Sequence, residues 1–413
     1  MLKRISLDQL PALRREPVAA TTLDAAAKIV EDVRIRGVAA LREHAERLGD
    51  LAPGAPLTTP REAMQAAFEA LPAEDQSLLI RAADRIRRFA EAQRSALSNV
   101  EIAIPGGVAG HEAVPMECAG CYAPGGRYPL PSSMLMTAVT ARAAGVRTVW
   151  AASPKPAPAT LAAAYVVGLD GLLNVGGAQG IAALAYGAGD VPACDVVVGP
   201  GNRWVTAAKQ LVSGNVAIDM LAGPSELVVL ADGTANAAVV AADLLAQAEH
   251  DDDAVPILVT TSAALAEEVD AELERQLADL PTREVAARAL QNGFTLVAAS
   301  LEEAVAACDR IAPEHLEVHL ENPSIELRNY GGLFRGARCA EVFGDYGAGP
   351  NHTLPTGGTA HSFAGLSVFT FLRVRTWMRI DERDDALIDD TARFARMEGL
   401  EAHARSAEAR RKL

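Results

Sequence analysis

Between Cys118 and Asp232, short apolar β-branched runs alternate with alanine-rich stretches of helical length. Continuous apolar strands need cover on both faces, so this alternation predicts parallel βαβ units. Strands are expected at 146–151, 172–175, 195–198 and 227–230, and helices at 132–144, 157–167 and 181–188. The pattern then recurs with a strand at 226–231, a helix at 235–250 and a strand at 256–260. Helices near 262–279 and 282–291, a strand at 295–299 and a helix at 301–311 continue it. The first hundred residues show helical periodicity from Thr21 to about Leu48 and again after Thr59-Pro60, where a proline in the first turn loses no hydrogen bond. Beyond Thr370, charges of alternating sign predict a solvated helical arm that packs on a partner subunit. The fold class expected is α/β: two Rossmann-like lobes with parallel sheets, N-terminal helices and a C-terminal helical arm. The boundaries expected are 1–115 for a helical region contributing to the first lobe, 116–225 for that lobe, 226–362 for the second, and 363–413 for the arm.

Composition narrows the function without choosing it. The 413 residues carry 38 Lys+Arg against 53 Asp+Glu, a formal charge of −15. Such acidity argues against nucleic-acid binding, which needs cations to displace phosphate counterions. No apolar run approaches the roughly 20 residues of a membrane span. The start, Met1-Leu-Lys-Arg, leads into no apolar signal segment, so a cytoplasmic protein is expected. Cys118-Ala-Gly-Cys121 has redox spacing but no second pair, and residues three apart on a strand point to opposite faces. Two unpaired thiols are the expected reading.

Three segments carry candidate chemistry. The 235–250 helix is apolar almost all round, yet Asp243, Gln247 and His250 interrupt it at i, i+4 and i+7 on one stripe. Left unpaired, each buried polar group would cost about 1–3 kcal/mol, so the stripe implies either a hydrogen-bond network or a metal. Glu314-His315 places a carboxylate beside an imidazole, the groups suited to proton transfer near neutrality. As neighbours, the two are expected not to be buried together for packing. The glycine- and proline-punctuated segment 344–358 carries Asp345 and His352 on what reads as a functional loop. Glycine turns at Tyr122-Ala-Pro-Gly-Gly126, Val175-Gly-Gly-Ala-Gln-Gly180 and Gly199-Pro-Gly-Asn202 follow predicted strands. None is a complete dinucleotide or phosphate-loop motif, but three at strand ends fit a dinucleotide crevice.

Taken in order, these segments resemble the histidinol dehydrogenase family. The resemblance extends through Ile218-Asp-Met-Leu-Ala-Gly-Pro-Ser-Glu226, Leu244-Leu-Ala-Gln-Ala-Glu-His-Asp251, Ala312-Pro-Glu-His-Leu-Glu317, Gly344-Asp-Tyr346, Leu354-Pro-Thr356 and Glu398-Gly-Leu-Glu-Ala-His403. It implies a homodimeric, zinc-dependent and NAD-linked enzyme that oxidises an alcohol twice, through an aldehyde to a carboxylate. Gln247, His250, Asp345 and His403 fall on the zinc-ligand positions, one zinc per subunit, with His403 supplied by the partner subunit. Glu314 and His315 fall on the acid–base pair. Ser132, Ser225, His352 and Glu398 match substrate contacts, a set that also takes in Gln247, His250, His315, Asp345 and His403. Tyr122, Gln179 and Asn202 match NAD contacts, making 116–225 the NAD-side lobe.

The substrate implied is L-histidinol. Some features suggest a related branch acting on sulfopropanediol, notably Arg127-Tyr-Pro129 and the segment from Leu333 to Glu341. Arginine would suit an anionic group, and Arg127, Arg335 and Arg338 are candidates; a cationic amino alcohol would favour Glu398 and Asp345. A non-catalytic zinc-dependent binding protein on the same scaffold is a third reading, which the intact Glu314-His315 pair opposes.

Overall fold

The computed structural model describes residues 2–10, 18–125, 129–322 and 324–413. It is an α/β structure with parallel sheets and many helices. The chain forms two compact units, Met1–Ala92 with Met116–Phe371, and Gln93–Pro115 with Leu372–Leu413.

The first unit holds two six-stranded sheets. One is centred on Cys118–Tyr122, with Thr148–Ala152 and Gly171–Leu173 to one side and Val196–Val198 and Ala217–Ile218 to the other, all parallel. Thr58–Thr59 adds an antiparallel edge. The other is centred on Glu226–Ala231, with Val255–Thr260 and Phe294–Val297 on one side and His315–His319 and Gly332–Arg335 on the other. Counting strands within each lobe, both follow the doubly wound order 3-2-1-4-5, the arrangement that opens a crevice where the order reverses. Val196–Val198 and residues 227–231 are wholly buried, which is why they read as unbroken apolar runs.

The N-terminal region is not helical throughout. Lys3–Ile5 is a parallel edge strand beside Phe294–Val297. The helical stretch after Thr21 is two helices, Ala20–Arg36 and Val38–Arg47, broken at Gly37 with φ +59°. Pro60 stands at the N-cap of Arg61–Glu69 rather than within its first turn.

The second unit corrects the expectation of a purely helical arm. Leu372–Ile380 is a strand, antiparallel to Gly107–Pro115, which also pairs with Val100–Ile104. Its signal is the period of two in Arg373-Val-Arg-Thr-Trp-Met-Arg379, where alternate residues share a face; a charge count along a helix misses that. Only then do the helices Asp385–Met397 and Glu401–Ala409 come, packed together around Ala392, Ala395 and Ala404. Among the described residues, no helix is long and apolar enough to cross a membrane.

Candidate active site

The site begins where the second sheet reverses its order. The parallel register sets Leu227 beside His315, which brings the start of Glu226–Ala231 level with Glu314. The Glu226 backbone N–H donates to Glu314 Oε2 at 3.0 Å, and Glu226 Oε1 accepts from Gly357 N at 2.7 Å. Glu314 and His315 are both buried, at 6% and 4% exposure, against the expectation that neighbours could not be. His315 opens an inner strand, both of whose faces are covered, and Glu314 immediately precedes it.

Carboxylates surround His315. Its Nδ1 lies 3.3 Å from the Glu226 carbonyl oxygen, 3.5 Å from Glu341 Oε2 and 3.8 Å from Glu314 Oε2, while Nε2 lies 3.7 Å from Asp345 Oδ1. The carbonyl can only accept, so it favours the tautomer with the proton on Nδ1 and a free lone pair on Nε2. Burial lowers the His315 pKa despite the nearby Asp345 charge, which keeps the imidazole neutral at neutral pH. Burial pushes Glu314 and Glu341 well above the usual carboxylate range. For Asp345, burial is outweighed by the hydrogen bond with His250 and the surrounding imidazoles, so its carboxyl titrates below its ordinary value.

Glu341 and Asp345 come from one short helix, Glu341–Asp345, whose four-residue spacing sets both on the same side. The expected irregular loop therefore opens with a helical turn. His250 lies just beyond the helix Ala237–Ala248, not within it, with its Nε2 3.6 Å from Asp345 Oδ2 and its side chain 39% exposed. Gln247 is wholly buried, and neither atom of its amide has a hydrogen-bond partner. A buried amide without a partner, three residues before His250 on the same stretch of chain, is a donor that a zinc-type ion would satisfy. The residues present fit that metal.

His352 joins this centre. Its Nδ1 is 3.1 Å from the Asp345 carbonyl oxygen, and its Nε2 is 3.4 Å from the hydroxyl of Ser133, the neighbour of the expected Ser132. Ser132 is half-buried at the start of Pro131–Ala144, and the Ser225 hydroxyl helps lower the Glu314 pKa against the effect of burial. Glu398 and His403 belong to the second unit and are exposed, at the end of Asp385–Met397 and within Glu401–Ala409. Of the arginines, Arg335 and Arg338 are exposed, and Arg127 lies outside the described residues.

The glycine turns sit at strand ends of the first lobe. Tyr122 ends the central strand, and its hydroxyl oxygen accepts from Gly177 N at 3.2 Å. Asp50 accepts from Gly176 N at 3.0 Å and from the Gln179 side chain at 2.8 Å, which holds the second turn. Asn202 caps Arg203–Val212 through Trp204 N and Val205 N. Gly199 has φ +116°, and a Cβ there would meet the Tyr122 carbonyl oxygen at 2.2 Å, so the third turn requires glycine. Tyr122 and Asn202 thus flank the reversal point of the first sheet. All five cysteines are free thiols, and Cys118 meets Cys194 with sulfurs 3.3 Å apart.

Sequence reasoning missed Glu226, Glu341, Glu317 and His319. The signals were present: Glu341 stands four residues before Asp345, and His315, Glu317 and His319 alternate along one strand face.

A family model described as histidinol dehydrogenase matches residues 13–411. The chain is 47% identical to histidinol dehydrogenase of Thermus thermophilus over 390 residues, 93% of each chain. It is 40% identical to sulfopropanediol 3-dehydrogenase of Ruegeria pomeroyi over 395 residues, 92% of this chain and 90% of that one. The crystal structure of histidinol dehydrogenase from Elizabethkingia anophelis superposes with a TM-score of 0.92 at 32% identity, covering 100% of this chain and 98% of the other.

Proposed function

Given that the chain belongs to the histidinol dehydrogenase family of oxidoreductases, we propose that it oxidises L-histidinol through L-histidinal to L-histidine with two NAD+, as a homodimer with one active-site zinc per subunit. The observation that carries this reading is the buried Glu314-His315 pair set against Asp345, which in turn faces His250; the buried Gln247 amide without a partner supports it. Gln247, His250, Asp345 and the partner subunit's His403 would hold zinc, and Tyr122, Gln179 and Asn202 would contact NAD. When bound, zinc fixes the donor atoms of the substrate and NAD+ takes up hydride.

His315 Nε2 accepts the alcohol proton as hydride leaves the carbon. Its Nδ1–H stays on the Glu226 carbonyl, so the ring does not turn between steps. Glu314 then draws a proton from water adding to the aldehyde, a task for which its raised pKa suits it better than an ordinary carboxylate. As that water adds, His315 returns its proton to the carbonyl oxygen, which frees Nε2 to take the second proton, from the hydrate, as the second hydride departs. Ser132, Ser225, His352 and Glu398 would contact the substrate. Holding the aldehyde through both steps keeps a reactive intermediate from water outside the site.

Asp345, held ionised beside His315, favours a cationic amino alcohol over a sulfonate, which it would repel. The second reading, oxidation of sulfopropanediol, rests on the 40% identical relative and on exposed Arg335 and Arg338. Zinc-loaded protein given NAD+ with each alcohol in turn separates the two. Two NADH formed per L-histidinol supports the first; NADH from the sulfonate alone replaces it with the second. If neither is oxidised but one binds, the non-catalytic reading stands instead.

A further inference from the structure

The same helix stripe and strand face continue past the site. On Ala237–Ala248, Asp243 lies one turn before Gln247; on His315–His319, Glu317 and His319 share the face of His315. Four helical residues rise about 6 Å and two strand residues about 6.6 Å, so the two periods nearly match. A helix packed on that face repeats its polar juxtaposition one step further along.

At this second level His319 Nε2 is 3.2 Å from Glu317 Oε2 and 3.8 Å from Asp243 Oδ2, and one ligand atom from each residue lies within 4.8 Å of the others. All three residues are buried, His319 at 3%, Glu317 at 0% and Asp243 at 8% exposure. Glu317 Oε1 accepts the Glu341 N–H at 2.6 Å, which leaves Oε2 facing the cluster. Asp243 Oδ2 is shielded from solvent, points at His319 and has no hydrogen-bond partner. We propose that Asp243, Glu317 and His319 form a second, structural site for a divalent cation of the zinc or manganese class, clamping the helix Ala237–Ala248 to the strand His315–His319.

Metal bonds of about 2.0–2.2 Å place neighbouring ligand atoms roughly 3–3.5 Å apart, so His319 and Glu317 already stand at that spacing, His319 and Asp243 need close by a few tenths of an ångström, and Asp243 and Glu317 by about 1.3 Å at most. One imidazole and two carboxylates suit zinc or manganese, and two carboxylates neutralise a divalent ion where water cannot. The site is independent of the substrate assigned above and uses none of the expected zinc ligands.

The test is metal stoichiometry on the full-length protein, stripped with chelator, reloaded with Zn2+ or with Mn2+ alone, desalted and analysed by elemental mass spectrometry. Two ions per chain are expected for the wild type. D243N and H319Q should each lose one, and H250A should lose the other. Circular dichroism and melting curves confirm that the variants fold, and D243N, which keeps the side-chain shape, serves if H319Q does not. One ion per chain in the wild type overturns the proposal, as does a folded D243N that still binds two. Loss of the ion in H250A with retention in H319Q would leave the expected zinc site standing without this one.

Discussion

His315 carries the most weight of any single side chain, because its surroundings decide both its tautomer and its charge. Replacing it by Asn keeps approximate shape but removes the base, so turnover should fall by about 10²–10⁴-fold with zinc content unchanged; steady-state kinetics beside elemental analysis checks both halves. With its pKa below the ordinary 6.5, the base form persists into mildly acidic solution. The acid limb of kcat/KM should therefore lie below that value, and a limb above it would show that another group is titrating. Asp243 offers a separate readout on stability. Burial, then the Glu317 charge, raises its pKa from 3.8 to about 8. Over that interval the folded protein keeps a proton that the unfolded chain releases. Its contribution is thus complete below about 3.8 and lost as pH rises through about 8. Chelator-treated wild type should lose stability over this range, with a shallower slope in D243N, as measured by denaturant titration at several pH values.

At the scale of elements, a buried ion pair holds the third glycine turn. Lys209, on Arg203–Val212, pairs with Asp219 and donates to the Gly199 carbonyl at 3.0 Å, while Gly199 N donates to Asp219 Oδ2 at 2.7 Å. Both ends of one peptide-rich turn are thereby tied to opposite charges. Lys209→Met would strand the Asp219 carboxylate in the interior, and breaking such a pair costs about 3–5 kcal/mol. Chemical denaturation should show that loss, and the KM for NAD+ should rise because the turn loses its anchor. A stability change below about 1 kcal/mol, a magnitude typical of exposed pairs, would contradict the burial argument. Element ends, by contrast, are legible in the sequence only to within a few residues. The stripe 243–247–250 is visible as periodicity, yet His250 lies beyond the helix: the Glu249 N–H makes the last four-residue bond, to Leu245, and the His250 N–H turns to Gln247 instead.

For the whole molecule, the proposed dimer yields a complementation test. If each site takes His315 from one protomer and His403 from its partner, an H315N–H403A heterodimer contains one intact site and one doubly impaired. Mixing and reassembling the two inactive variants should restore activity to about a quarter of wild type, since half of randomly paired dimers are mixed. No recovery, with mixed dimers confirmed by differential tagging and native mass spectrometry, would place both groups within one protomer. Exposed apolar residues on the second unit, among them Val374, Met378, Phe394 and Met397, are candidates for burial in such an interface.

The sequence by itself determined everything that local pattern can encode. Unbroken apolar runs imply strands covered on both faces; alanine-rich stretches between them imply crossover helices; glycine at 199 answers a backbone that no side chain could adopt. Asp243, Gln247, Glu314, His315 and Asp345 were also legible, because polar groups in apolar surroundings, or an acid beside an imidazole, stand out without any partner in view. Only the tertiary structure decided which of these groups meet. Glu226 and Glu341 flank His315 through strand register and a helical turn far along the chain, and distance in sequence carries no trace of that. The strand Leu372–Ile380 reads as helix from its charges, which fit either element until Gly107–Pro115 supplies the pairing. Local pattern sets what each segment can bury; the contacts between segments set which buried charges share a space, and those contacts position the chemistry.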